Sequence, residues 1–249
     1  MKKFKKVLAG VAVAAALATS QAATINVGGV VWDPNSSFDF SGTTATITQT
    51  INAVTGELSG FGNITTLNNT LQNTFCPGCE LTVQYSGFLP TVASAIPGVG
   101  GAGQVIQYTG GTLTLFVDNT PDTNGGTTLT FANTGDGLVW LSLAGHPDAG
   151  GITLTGTNFF PTSLAGAGLL DVIGGLAAAN TNTNTKTAGA DFTYSTTFTN
   201  FPNGNPLFAT GSGTFNGASI AITVPEPESL ALFGVALLGL VASRRRKSV

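Results

Sequence analysis

Phe192-Thr-Tyr-Ser-Thr-Thr-Phe-Thr199 carries rings at positions 192, 194 and 198 and hydroxyl side chains everywhere else. A repeat of two is that of an extended chain with one face buried and the other wet. The same reading extends to Ala45-Thr-Ile-Thr-Gln-Thr-Ile51, Leu81-Thr-Val-Gln-Tyr85 and Thr112-Leu-Thr-Leu-Phe-Val117. It extends again to Thr128-Leu-Thr-Phe131, Leu138-Val-Trp-Leu-Ser-Leu143, Gly151-Ile-Thr-Leu-Thr155 and Ser219-Ile-Ala-Ile-Thr-Val224. Clusters of Gly, Asn, Asp and Pro divide these segments, as turns between strands require. The pattern predicts a mainly β chain: an antiparallel β-sandwich or jelly-roll-like single domain. One helix is expected over residues 163–179, where Leu164, Leu169, Leu170, Ile173 and Leu176 fall near helical spacing, although four glycines there oppose it. The Asn180-Thr-Asn-Thr-Asn-Thr185 run and residues 98–103 read as loops.

Charge is segregated. Eight of the nine basic residues lie within six residues of one end or the other: Lys2, Lys3, Lys5 and Lys6, then Arg244, Arg245, Arg246 and Lys247. Between residues 23 and 224 a single lysine, Lys186, faces ten acids, a formal charge of −9. Such a surface repels phosphate backbones and anionic lipid heads, which argues against nucleic acid as a partner. The mean hydropathy of +0.30 would suggest a membrane protein, but much of the apolar excess sits at the two ends.

The first end is a basic stretch, an apolar run of 12 residues over 7–18, and Ser20-Gln21-Ala22 as a small-x-small site. That is the anatomy of a signal peptide, residues 1–22, cleaved after Ala22 or alternatively Ala23. A β-rich extracellular domain is expected over residues 23–223. The last segment, residues 224–249, opens on Pro225-Glu226-Pro227, continues uncharged from 230 to 242, and closes on Arg244, Arg245, Arg246 and Lys247. Thirteen helical residues rise roughly 20 Å, short of a hydrocarbon core of roughly 30 Å, so this is a marginal, transient membrane anchor. Positive residues stay in the cytoplasm, and both ends obey that rule with the body outside.

Pro225-Glu226-Pro227, a short apolar helix and a terminal Arg cluster, in that order, resemble the PEP-CTERM sorting domain. The resemblance covers about 26 residues and implies recognition by exosortase, a membrane-embedded cysteine transpeptidase-like enzyme, with removal of the tail near the motif. Two nearby prolines disfavour helix and leave extended backbone that a processing enzyme can reach. The body also resembles a recurrent group of secreted PEP-CTERM proteins. The carrying stretches are Leu58-Ser-Gly-Phe-Gly62, Ile64-Thr-Thr-Leu67, Cys76-Pro-Gly-Cys-Glu-Leu-Thr82, Gly110-Gly-Thr-Leu-Thr-Leu-Phe-Val-Asp118 and Gly168-Leu-Leu-Asp-Val-Ile-Gly-Gly175. That likeness implies an association with extracellular polysaccharide, biofilm or flocs.

Candidate chemistry is sparse. In Cys76-Pro77-Gly78-Cys79 the central pair suits a type II turn, which brings the cysteines within reach of a disulfide in an oxidising compartment. A redox pair, or half of a metal site, are the other readings of that spacing. His146 is the one histidine, in Ala144-Gly-His-Pro-Asp148, and reads as a turn. No complete Gly-x-Ser-x-Gly elbow accompanies it; Gly217-Ala-Ser-Ile-Ala221 fails at its last position. Asp118-Asn-Thr-Pro-Asp122-Thr-Asn124-Gly-Gly126 offers oxygen donors for calcium, but a hairpin loop joining 113–117 to 128–131 accounts for the same residues. Asp171 is expected on the polar face of the helix. Asn35, Asn63 and Asn68 begin N-x-[ST] patterns that are common by chance in a chain rich in Asn and Thr.

The sequence therefore predicts an exported, non-catalytic surface or matrix protein with no cofactor and no metal site. Its expected partners are an exosortase-like enzyme, the membrane and extracellular polysaccharide. Two other classes stand beside it. One is a carbohydrate-binding, lectin-like module using Trp32, Trp140, Tyr85, Tyr108 or Tyr194 for stacking; the other is a secreted hydrolase using a carboxylate pair.

Overall fold

The computed structural model describes residues 24–92, 102–123 and 128–220. The expected signal peptide with Ala22 and Ala23, the Pro225-Glu226-Pro227 motif and the Arg244–Lys247 cluster lie outside the described residues.

The strands are β1 (Ile25–Val27), β2 (Val30–Trp32), β3 (Phe40–Ile51), β4 (Leu58–Leu67), β5 (Thr70–Leu71) and β6 (Glu80–Pro90). After these come β7 (Gln104–Asp118), β8 (Leu138–Gly145), β9 (Leu154–Phe159), β10 (Ser163–Gly174), β11 (Phe192–Asn200) and β12 (Phe208–Gly217). Two single-turn helices interrupt them, α1 (Gln72–Phe75) and α2 (Ala178–Thr181).

The strands form a closed eight-stranded barrel, not the expected sandwich or jelly roll. Around the ring run β11, β12, β3, β4, β6, β7, then β8 and β9 together, then β10, which pairs with β11 again. Closure is the antiparallel pairing of Leu164–Leu170 with Phe198–Phe192. β8 and β9 share one place in the ring. The chain pairs Leu138–Ala144 with the far half of β7, loops out over residues 146–153, and resumes its line as Leu154–Asn158 against the near half. Two facing sheets and one closed sheet impose the same alternation along each strand, so the sequence pattern alone could not separate them.

The expected helix over 163–179 is corrected as well: most of it is β10. Leu164, Leu170 and Val172 point into the barrel with Gly166 and Gly168 between them, so the repeat of two is present but blanked by glycine. Thr128–Phe131 is not a strand either. It lies in turns over the outer face of β6, where Gln84 Nε2 donates to the Phe131 carbonyl at 2.6 Å and the Phe131 ring packs on Phe61. The partner of Leu113–Val117 is instead β8. Ser219 and Ile220 are outside any strand, and the rest of that expected segment is outside the described residues.

The glycines mark where rings lie. Tyr85 faces Gly60, Phe215 faces Gly42 and Tyr194 faces Gly168 across neighbouring strands. A Cβ on Gly42 would stand 2.1 Å from the Phe215 ring, and one on Gly60 would stand 2.3 Å from the Tyr85 hydroxyl. Each ring lies flat over its glycine, which is how large and small residues fill a narrow barrel.

Two apolar clusters result. At one end the β1–β2 hairpin, turned by Gly28 and Gly29 at positive φ, plugs the barrel. Trp32 stacks edge-on to Trp140 at 5.6 Å and to Phe40 at 5.5 Å, and Trp140 Nε1 donates to the Val27 carbonyl. At the other end Ile51, Leu58, Phe88, Ile106, Tyr108, Leu164 and Phe198 make a second cluster under the loops.

Gly42→Ala should cost about 2 kcal/mol through overpacking against Phe215. In a double-mutant cycle by urea unfolding, Phe215→Leu should cost less in the Gly42→Ala background than alone. Additive costs would mean that the ring and the glycine do not share this space.

Candidate functional site

The expected disulfide stands at the plugged end. Cys76 and Cys79 have Cα atoms 5.1 Å apart, the Cys79 amide donates to the Cys76 carbonyl at 3.1 Å, and Gly78 adopts φ +81°. This is the Pro-Gly turn that the spacing implied. Cys76 follows the C-terminal end of α1, and both sulfurs are buried in the cluster that holds Trp32. A redox thiol draws its reactivity from a helix N-terminus and exposure, and this pair has neither. Replacing both cysteines by alanine should lower stability by about 2 kcal/mol, the chain-entropy value for so short a loop, measured as a shift in urea midpoint.

Directly after it, Glu80 is fully buried. One carboxylate oxygen accepts from the Thr123 amide at 3.0 Å and from the Thr123 hydroxyl, while the other has no partner among the described residues. Burial raises its pKa above the ordinary range, opposed in part by the Thr123 bonds. An acid raised in the fold binds its proton more tightly folded than unfolded. The stabilisation is therefore complete below the unfolded value near 4.5 and is lost as pH climbs through the folded one. Stability measured by urea unfolding from pH 4 to pH 8 should fall with rising pH in the native chain and fall less in Glu80→Gln. Equal slopes would remove Glu80 as the cause.

His146 and Asp171 are brought together, which neither the expected turn nor the expected helix foresaw. His146 leaves the end of β8, its amide bound to the Leu169 carbonyl at 2.8 Å, and Nδ1 stands 2.8 Å from both oxygens of Asp171 on β10. The cause is the register: Asp171 lies opposite Ala144, two residues before His146. This geometry orients an imidazole, as the carboxylate of a catalytic triad does. Among the described residues Nε2 makes no hydrogen bond to a serine, threonine or cysteine, and no group of three His, Cys, Asp or Glu side chains converges to hold a metal.

Asp191 is also buried, but it is an anchor. Its oxygens accept from the amides of Thr183, Asn184 and Val172 at 2.6, 2.7 and 2.7 Å, tying the loop after α2 to β10. Asp118 closes a local turn on Thr120 through its side chain.

The aromatic residues considered for sugar stacking are turned inward. Trp32, Trp140 and Tyr108 are buried, and Tyr85 and Tyr194 line the lumen. There a cavity of about 60 Å³ is bounded by Gln49, Tyr85, Tyr194, Ile47, Leu58 and Leu154, among others. A second chamber of about 40 Å³ shares Gln49, Leu58, Leu154 and Thr196 and reaches toward Tyr108. Burial pushes the phenols of Tyr85, Tyr108 and Tyr194 up, so all three stay protonated as donors. The Tyr194 hydroxyl is enclosed with no partner among the described residues, and the Tyr85 hydroxyl donates only to Oε1 of the Gln49 side chain, at 3.5 Å. An enclosed unpaired hydroxyl costs about 1–3 kcal/mol. The lumen was illegible in sequence because each of its walls comes from a different strand.

Residues 223–247 match the family model described as the PEP-CTERM protein-sorting motif. No curated protein and no solved structure matches the chain. The motif directs export, transient tethering at the membrane through a C-terminal anchor with exosortase processing, and then a place at the cell surface or outside the cell. Among the described residues no helix is long and apolar enough to cross a membrane.

Proposed function

We propose that this chain is a non-catalytic cell-surface or extracellular-matrix protein, delivered by PEP-CTERM sorting and associated with extracellular polysaccharide, biofilm or flocs. The observation that carries the reading is the sorting motif over residues 223–247 on a chain whose body is strongly acidic and almost free of basic residues.

The outer face supports a polysaccharide partner. Across β3, β12 and β11 a shallow surface presents Thr46, Thr197, Thr199, Asn200, Thr210 and Ser212. Hydroxyl and amide groups at strand spacing exchange hydrogen bonds with a neutral sugar chain, and no positive charge is there to demand an anionic one. The same face serves the lectin-like alternative, in which recognition is by hydrogen bonding and not by aromatic stacking, since the large rings are in the core.

Mass spectrometry of the protein recovered from cells and medium tests the sorting step. The mature chain should end near Pro225–Pro227. A surface protein still carrying Arg244–Lys247 would reduce the tail to an ordinary anchor. Deletion of the gene should weaken matrix cohesion or floc formation, and unchanged cohesion would count against the matrix role.

A further inference from the structure

We infer that the barrel lumen between Tyr85 and Tyr194 is a binding site for a small, uncharged, mostly hydrocarbon molecule that carries an oxygen acceptor.

An eight-stranded barrel is just wide enough either for its own side chains or for one small ligand. Here the side chains do not fill it. Gly60, Gly168 and Gly213 line or underlie the central layer, and space remains beside the two phenols even though large rings pack both ends. The apolar walls of that space include Ile47, Leu58, Val83 and Leu154; Thr44, Thr196 and Thr214 also line it, and no Asp, Glu, Lys, Arg or His does. A charged guest would lose its hydration without a counter-charge, so the site selects neutral molecules.

The polar groups then set what the guest must carry. Phenylalanine at position 194 would pack over Gly168 as well as tyrosine does, because the contact is made by the ring. The hydroxyl adds a donor in an enclosed apolar place where no protein acceptor meets it. Buried tyrosine hydroxyls ordinarily have partners. Tyr85, near Tyr194, has only the long contact to Gln49, so two phenol donors and one amide meet in a chamber whose remaining lining is mostly apolar. That is the usual composition of a small-molecule site: mostly apolar walls and a few placed polar groups. A ketone, ester or alcohol oxygen directed at Tyr194 with its hydrocarbon body toward Leu58 and Leu154 satisfies both features.

The second chamber continues the lumen toward Leu164, Phe198 and Asn158, and beyond it Phe160 and Phe201 meet edge-on at 5.2 Å. This role goes beyond the proposed surface function and does not depend on it.

Three probes of nearly one size and shape, small enough for chambers of about 60 and 40 Å³, test the inference on the purified full chain by saturation-transfer NMR titration: acetone, isobutane and acetate. Acetone should bind saturably, isobutane more weakly, and acetate not at all. Tyr194→Phe should weaken acetone about tenfold, leave isobutane unchanged, and be at least as heat-stable as the native chain without probe. Leu154→Phe, which fills the junction of the chambers, should abolish both. No saturable binding of acetone to the native chain, or equal affinity in Tyr194→Phe, would overturn the assignment. Tighter binding of the carboxylate than of the ketone would overturn it too. If Leu154→Phe does not fold, the Tyr194→Phe comparison decides alone.

Discussion

An aromatic ring laid across a neighbouring strand's glycine is the contact on which this barrel depends. A closed sheet of eight strands has little interior, and a ring projecting straight inward from every strand would overfill it. Phe215 over Gly42, Tyr85 over Gly60 and Tyr194 over Gly168 resolve the crowding by tilting each ring along the wall. The missing Cβ is thus a packing device. The cost is entropic, since glycine weakens a strand interior, and it is offset by the area of the ring that covers it.

The same device shapes both ends differently. Where Phe40, Phe192 and Phe215 meet Trp32 and Trp140, the hairpin plug and the Cys76–Cys79 turn complete a dense cluster. In the middle the rings are tyrosines, the facing residues are glycine, and the packing stops short of closure. The dense packing is therefore at the plugged end, and the unfilled space lies between it and the loops. The oriented imidazole, His146 on Asp171, stands at the looped-out break between β8 and β9 and not among the lumen residues.

Outside, the barrel is a surface of threonine, serine and asparagine with acidic residues scattered over it. Such a coat carries net negative charge, which keeps copies apart, and offers many neutral hydrogen-bonding groups. Export is stated by the sorting motif. On the proposed reading, an acidic, hydroxyl-rich exterior is what a protein working among hydrated polysaccharide requires.

Legibility followed the residues that face inward. β3, β6, β7, β8 and β11 could be read because Ile, Val, Leu, Phe or Tyr occupy their inner positions. β4, β10 and β12 escaped because glycine holds many of theirs; Leu58-Ser-Gly-Phe-Gly62 suggested a family likeness but no strand, and Ser163–Gly174 passed for a helix. The sorting motif at the C-terminal end was readable, since hydropathy, charge and a proline motif are properties of contiguous residues. So was the turn at Cys76–Cys79, which needs four positions only. Closure of the ring, the pairing of His146 with Asp171, the burial of Glu80 and the unpaired hydroxyl of Tyr194 were decided by the tertiary structure. Each is a relation between residues on different strands, and alternation along one strand carries no information about which strand will lie beside it.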